Sequence, residues 1–411
     1  MEGDVPPLSP EQALQLVRNG GALLCRDVPA ATAIGIDLRT YAVGERFQGI
    51  KMIPPHAVHF LTCGGEVERS GVFLAFPPAG VHVLAWDGAT ELLSPQPPSD
   101  DRRRLEEAVR RMEFDGCLGP YPLATEGQWR ALSCFVSEAV LSRANVPLGT
   151  VVVAGGIDDE GGAPTEALQP FHEGAARVAR FVQLDPRRRG GGLTGAELTR
   201  YHTDHSEFVA GLLQREYGGG ANGEAEGALL GELQLAFILF LQLSSLRALT
   251  QWKLLVHTLC KCEALLMSRP GLFTKFLSTL RAQLHFAPHD FFVDSELSED
   301  NFLLGALTNL ASATEDQTYC EQVCAGSTST PLRHAHSTLI MESSLAGGAA
   351  HARTSLIKQP VASQLTEELD RFWKFVHMRF EVDVRQLRCD SALDDDAPVV
   401  VEEEIDSSVP M

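Results

Sequence analysis

The chain has 411 residues, enough for two domains with separate cores, and its balance of 44% hydrophobic to 21% charged residues is that of a folded protein. Thirty-four basic residues against 54 acidic ones leave a net charge of −20, which repels bare nucleic acid unless a basic face is segregated. The tight basic runs, Arg102-Arg103-Arg104 and Arg187-Arg188-Arg189, sit among acids or glycines and read as solvated surface. Nine scattered cysteines and an N-terminus without signal-peptide character point to reduced thiols in the cytoplasm or nucleus.

In chain order, Ser9-Pro10-Glu11-Gln12 is a capping-box start, and Leu14 and Val17 give that short helix one apolar side. Gly20 or Gly21 ends it. The pattern then becomes extended. Residues 22–25, 34–36, 58–63, 72–76 and 81–86 are short apolar or alternating runs between Gly and Pro punctuation, which predicts a compact antiparallel sheet or sandwich. A charged helix over 100–114 follows, with Leu105, Val109 and Met112 on one side. After Gly119-Pro120-Tyr121-Pro122, Thr125 is placed to cap a helix running to Leu141 with Trp129, Leu132, Phe135, Val136 and Ala139 buried. Residues 151–153 read as one more strand. The Gly-, Asp- and Arg-rich stretch 155–195 reads as a linker, closing a β-rich N-terminal domain over 1–154.

The second half, 196–388, reads as all-helical. Its most apolar stretch is 228–267, in which fourteen residues between Glu232 and Arg247 carry no charge. As a helix those residues span about 21 Å, short of a hydrocarbon core of roughly 30 Å, so they read as a buried helix. Ser244-Ser245 divides the stretch into a helix pair, 229–243 and 246–267. Leu272, Phe273, Phe276, Leu277, Leu280 and Leu284 line a third helix starting near Pro270. A fourth starts near Ser298 with Leu303, Leu304, Leu307 and Leu310 as its stripe, and a last one carries Leu365, Leu369, Phe372, Val376 and Phe380. Residues 314–360 lose periodicity and read as a disordered insertion. The tail, 389–411, has eight acidic residues and no basic one, and within it lie Ala397, Pro398, Val399, Val400 and Val401, a β-prone segment suited to adding to the edge of a partner's sheet.

Chemistry-bearing motifs are sparse. There is no phosphate-cradling GxxxxGK[ST] loop, no GxGxxG after a strand, no HExxH and no GxSxG. His202, Asp204 and His205 form the one cluster resembling acid–base machinery, and a capped helix start with Thr203 or Asp204 near the cap is the favoured account of it. Cys320, Cys324, His334 and His336 are the nearest thing to a zinc set, at spacings that depart from the finger pattern. Cys260 and Cys262 are two apart and do not share a helix face. Catalytic, cofactor and metal sites are therefore expected to be absent.

Several stretches together resemble one family, the AAR-two splicing factors: Gly35-Ile36-Asp37 through Gly49-Ile50-Lys51-Met52-Ile53-Pro54-Pro55 to Val58-His59-Phe60, then Leu118-Gly119-Pro120-Tyr121-Pro122 with Trp129 and Phe135. Leu230-Gly231-Glu232-Leu233-Gln234 through Trp252, Lys253 and Cys260 is similar to the family's helical signature, and Asp290 to Asp294, Asp300-Asn301-Phe302-Leu303 and the 397–402 tail complete it. The resemblance implies an α+β, two-domain protein: a β-rich N-terminal domain and an all-α, superhelical, VHS-like C-terminal domain. It implies a non-enzymatic factor without cofactor. Such a factor binds the Prp-eight scaffold protein at its RNase H-like and endonuclease-like domains, assists assembly of the U-five particle and holds off the Brr-two helicase. The implied location is cytoplasmic and nuclear, with 397–401 pairing to the partner's sheet and no direct contact with nucleic acid, membrane or small-molecule substrate. The alternatives are a generic helical scaffold with unrelated partners, against which no 34-residue repeat appears, and a hydrolase using His202, Asp204 and His205.

Overall fold

A computed structural model describes residues 9–55, 57–65, 69–155, 176–184, 195, 203–218, 223–288, 302–326 and 348–382, with the side chains of 315–326 and 348–362 outside that description. The chain opens with α1 (Pro10–Asn19), whose capping box forms as the sequence predicts: Gln12 N donates to Ser9 Oγ and Ser9 N donates to Gln12 Oε1, both at 3.2 Å. Its apolar side is nevertheless exposed, with Leu14 and Val17 about half accessible.

The strands are β1 (Gly21–Arg26), β2 (Ala33–Ile36), β3 (Arg39–Ala42), β4 (Gly49–Ile53), β5 (Val58–Gly64), β6 (Arg69–Ala75), β7 (Val81–Asp87), β8 (Leu92–Pro95), β9 (Leu118–Pro120), β10 (Val151–Val153) and β11 (Ala176–Val178). They form one sheet in the order β8-β7-β1-β4-β9 and a second in the order β11-β10-β6-β5-β2-β3. The expected sandwich is present, but it is mixed: β1–β7, β4–β9 and β10–β11 pair in parallel. A short strand such as β9 or β11 carries too few residues to show an alternation, and only its tertiary partner makes it extended.

Side chains alternate as a pleated strand requires. Leu23, Cys25, Leu61, Cys63, Val72, Leu74 and Val151 fill the space between the sheets. Leu24 and Val83 point the other way, under α2 (Asp100–Arg110) and its Val109. Phe60, Phe73 and Val152 point outward from the second sheet into a separate cluster. α2 is shorter than the predicted 100–114, and Met112 lies past its end at φ 62, 59% exposed. The predicted helix 125–141 is two helices, α3 (Glu126–Ser133) and α4 (Glu138–Arg143). Thr125 bonds Pro122 O instead of capping, and Ser137 caps α4 through Val140 N.

The helical half contains α5 (Ser206–Glu216), α6 (Glu224–Leu243), α7 (Leu246–Cys260), α8 (Glu263–Ser268), α9 (Pro270–Leu284), α10 (Phe302–Gly326) and α11 (Gly348–Phe380). Helix α6 is apolar all round because it is a wall shared by both halves. Leu235, Ile238, Leu239 and Leu243 pack against Phe60, Phe73 and Val152 of the second sheet. Leu229, Leu230, Leu233, Ala236 and Phe237 pack into the helical core with Trp252, Phe276 and Leu307. By length and composition α6 passes as a membrane span, yet 67% of its apolar window is buried inside the protein. Each fully buried Leu or Phe contributes roughly 1.5–3 kcal/mol, so this helix carries much of the cohesion between the halves.

Three expectations change here. The predicted helix 246–267 breaks at Lys261-Cys262 into α7 and α8. The predicted linker 155–195 contains β11 and a packed segment in which Ala179 and Leu184 are buried. Helix enters the predicted insertion 314–360 from both ends, since α10 runs on to Gly326 and α11 starts at Gly348. Ala, Gln, Glu and Lys favour helix without an apolar stripe, so a helix already nucleated by packing extends past the point where periodicity stops.

Candidate functional site

The residues that carry the sequence signature converge on buried polar ties. Asp37 closes the β2–β3 turn at φ 55, a left-handed conformation that Asp tolerates because its short side chain bonds locally. Its Oδ1 accepts from Phe60 N at 2.9 Å, and its Oδ2 accepts from Tyr121 Oη at 2.6 Å and lies 2.7 Å from His59 Nδ1. His59 Nε2 lies 2.8 Å from Pro54 O. Pro54 O only accepts, so Nε2 carries a proton toward it, and the Asp37 carboxylate facing Nδ1 favours a second proton there, which is the imidazolium form of His59. Burial alone depresses its pKa, but the Asp37 hydrogen bond and charge, with the Pro54 carbonyl, outweigh that and raise it. Burial and the Asp37 charge hold the Tyr121 hydroxyl protonated.

An Asp–His bond is the core of a general-base pair. Here the second nitrogen is occupied by Pro54 O and the ring is 1% exposed, so this pair offers no nitrogen to a substrate. It joins the ends of β2, β4 and β5 to the segment after β9. Trp129 Nε1 adds a bond to Val58 O at 2.8 Å and brings α3 onto β5.

The helical signature does the same work on α6. Gly231 sits where a Cβ would lie 2.4 Å from Phe135 O, so only glycine lets α6 approach the end of α3 this closely. Gln234 Oε1 accepts from Phe135 N at 2.7 Å while Gln234 Nε2 donates to Ala131 O at 3.1 Å. Glu232 Oε1 accepts from Val182 N and Gln251 Nε2, and its Oε2 accepts from Tyr217 Oη at 2.7 Å. Burial raises the Glu232 pKa, and the three hydrogen bonds oppose that rise without cancelling it. Trp252 Nε1 donates to Gln283 Oε1 at 2.9 Å, tying α7 to α9. Sequence spacing does not reveal these ties, because partners such as Asp37 and Tyr121 lie 84 residues apart.

Of the hydrolase cluster, the described residues Asp204 and His205 take structural contacts. His202 lies outside the described residues. Asp204 caps two helices at once, accepting from Ser206 N at 2.9 Å at the start of α5 and from Glu263 N and Ala264 N at 3.2 Å at the start of α8. His205 faces His257 with ring centroids 6.2 Å apart, and burial followed by the Lys261 charge lowers the His257 pKa. Cys260 and Cys262 are both buried, and Cys262 Sγ donates to Thr258 O. His334, His336 and the tail residues Ala397, Pro398, Val399, Val400 and Val401 lie outside the described residues, as do the side chains of Cys320 and Cys324. Among the described residues no group of three or more His, Cys, Asp or Glu is placed to hold a metal ion.

Comparison with known proteins agrees with this architecture. The family model described as the AAR2 N-terminal domain matches residues 19–146, and that described as the AAR2 C-terminal repeat region matches 181–385. The Protein AAR2 homolog of Mus musculus is 32% identical over 336 residues, covering 73% of this chain and 84% of its own length. That of Homo sapiens is 32% identical over 335 residues with the same coverage. That of Caenorhabditis elegans is 29% identical over 348 residues, covering 76% of this chain and 91% of its own.

Proposed function

This chain belongs to the AAR2 family, and from that premise we propose that it is a non-enzymatic splicing factor that binds the Prp-eight scaffold protein and assists assembly of the U-five particle. The observation that carries the reading is that both halves match the family, over residues 19–146 and 181–385. In this reading the protein docks on the scaffold's RNase H-like and endonuclease-like domains and holds off the Brr-two helicase until it leaves. The tail residues Ala397, Pro398, Val399, Val400 and Val401 add a strand to the partner's sheet. It works in the cytoplasm and nucleus, without cofactor, membrane contact or direct contact with RNA. The net charge of −20 favours docking on the basic surfaces of a nucleic-acid-binding partner.

The test is a binding titration against the partner's RNase H-like domain. Deleting residues 389–411 is expected to weaken binding at least tenfold, on the order of 1.4 kcal/mol, and unchanged affinity defeats strand addition. Affinity purification from nuclear and cytoplasmic extracts, with captured proteins identified, tests the wider reading; recovery of no U-five component from either extract overturns it.

A further inference from the structure

Many helical arginines have a carboxylate within ion-pair distance: Arg102 with Glu106, Arg103 with Asp100, Arg104 with Asp101, Arg130 with Glu126 and, before α9, Arg269 with Glu226. Three arginines without such a partner line one cavity. Arg143 at the end of α4, Arg180 after β11 and Arg215 in the last turn of α5 surround a cleft of about 450 Å³ between the sheet half and the helical half. All three are exposed, and none has a carboxylate ion-pair partner among the described residues. In a chain of charge −20, three cations without ion pairs around one hollow make a local positive site.

The cleft is also built. Arg143 lies over the Tyr217 ring with its Cζ 4.7 Å from the centroid, which fixes the guanidinium over the site. Arg180 N donates to Ala144 O at 2.9 Å, setting Arg180 beside the end of the helix that carries Arg143. Arg215 folds back along α5 over Gly211, where a Cβ would stand 2.6 Å from Nη1. A glycine inside a helix costs about 1 kcal/mol against alanine, and this one leaves room for the guanidinium. Two acids share the lining. Glu232 is turned into its bonds with Tyr217, Val182 and Gln251, and Glu216 makes no ion pair with any of the three arginines.

We propose that this cleft is an anion site for a phosphate group carrying at least two negative charges. Planar guanidinium forks converge on a tetrahedral oxyanion with paired hydrogen bonds, and three of them oversupply a single carboxylate. The site is independent of the tail and of the assembly role. Its ligand chemistry has two sources, a free phosphate-bearing small molecule or a phosphorylated side chain.

The experiment is calorimetric titration and thermal melting of the full chain with pyrophosphate, and in parallel with a phosphoserine peptide and its unphosphorylated form. Wild type is expected to bind at least one phosphate probe saturably and melt higher. Arg180→Ala combined with Arg215→Ala is expected to lose about tenfold or more in affinity, while Arg103→Ala combined with Arg104→Ala, an equal charge change, retains it. Gly211→Ala separates folding from binding: it is expected to raise the melting temperature without ligand and weaken the phosphate probe by displacing Arg215. Tighter binding of pyrophosphate assigns a free ligand, and tighter binding of the phosphopeptide over its unphosphorylated form assigns a modified side chain. No saturable binding of either probe, or equal loss in both arginine pairs, overturns the proposal.

Discussion

Each half of the molecule is tied together around a buried carboxylate, and the two ties differ in what neutralises the charge. Asp37 and Glu232 are 2% and 4% exposed, and each accepts a short bond from a tyrosine hydroxyl. Asp37 completes its set with Phe60 N and the His59 ring, whose protonated form it favours. Glu232 completes its set with an amide side chain and a backbone N–H, both neutral, and Arg143 reaches it only through space. The sheet half is therefore fastened by an ion pair and the helical half by neutral donors. A buried ion pair is costly to break one partner at a time, whereas a buried acid held by neutral donors tolerates its own amide.

The largest perturbation tests whether the halves compared are separable at all. Leu239 is 2% exposed in the wall between sheet and bundle, so Leu239→Asp is expected to cost on the order of 5 kcal/mol and unfold both halves together. Two separated transitions in a urea melt, with the sheet half surviving, would show that α6 belongs to one half only. Next comes Asp37→Asn, which keeps the shape and the tolerance for the left-handed turn but strands the imidazolium; about 3–5 kcal/mol is expected from the shift in urea midpoint. Glu232→Ala leaves the Tyr217 hydroxyl, Val182 N–H and Gln251 amide without their shared acceptor and is expected to cost about 1–3 kcal/mol, while Glu232→Gln stays within about 1 kcal/mol of wild type. Equal losses at Asp37→Asn and Glu232→Gln would erase the distinction between the two ties.

The smallest effect is the pH dependence. Both His59 and Glu232 have folded pKa values raised above their ordinary 6.5 and 4.5, so the folded chain binds more protons than the unfolded one in each window. Stability from Glu232 is fully present below about pH 4.5 and falls as pH rises through its folded pKa; stability from His59 is fully present below about pH 6.5 and falls above it. Urea midpoints measured across the neutral to alkaline range are expected to decline in wild type, and His59→Gln is expected to flatten that decline while leaving the acidic window intact. An unchanged alkaline slope in the variant would assign the decline to other groups.

Much of the helical half is legible in the chain. The stripe of Phe273, Phe276, Leu277 and Leu280 on α9 and that of Leu303, Leu307 and Leu310 on α10 are buried as their spacing predicts. The sheet half is legible where strands alternate, as in β5 and β6, and illegible where they are short. The Gly231, Glu232 and Gln234 signature is visible as a pattern of residues, but its meaning comes from Phe135 O, Val182 N and Tyr217, which approach from three other segments. Gln234 is fully buried and Glu232 nearly so, an arrangement that hydropathy alone opposes.

The sequence by itself determined two domains of different class, the capping box of α1, the apolar stripes of several helices, the acidic balance and the family signature, because these depend on local periods and residue chemistry. Only the tertiary structure decided that α6 is a wall common to both halves, that Asp204 accepts backbone bonds at the starts of two helices, and that three arginines from distant segments face one cleft. Those outcomes rest on contacts between residues tens of positions apart, and chain closure on that scale leaves no mark on the spacing of neighbours.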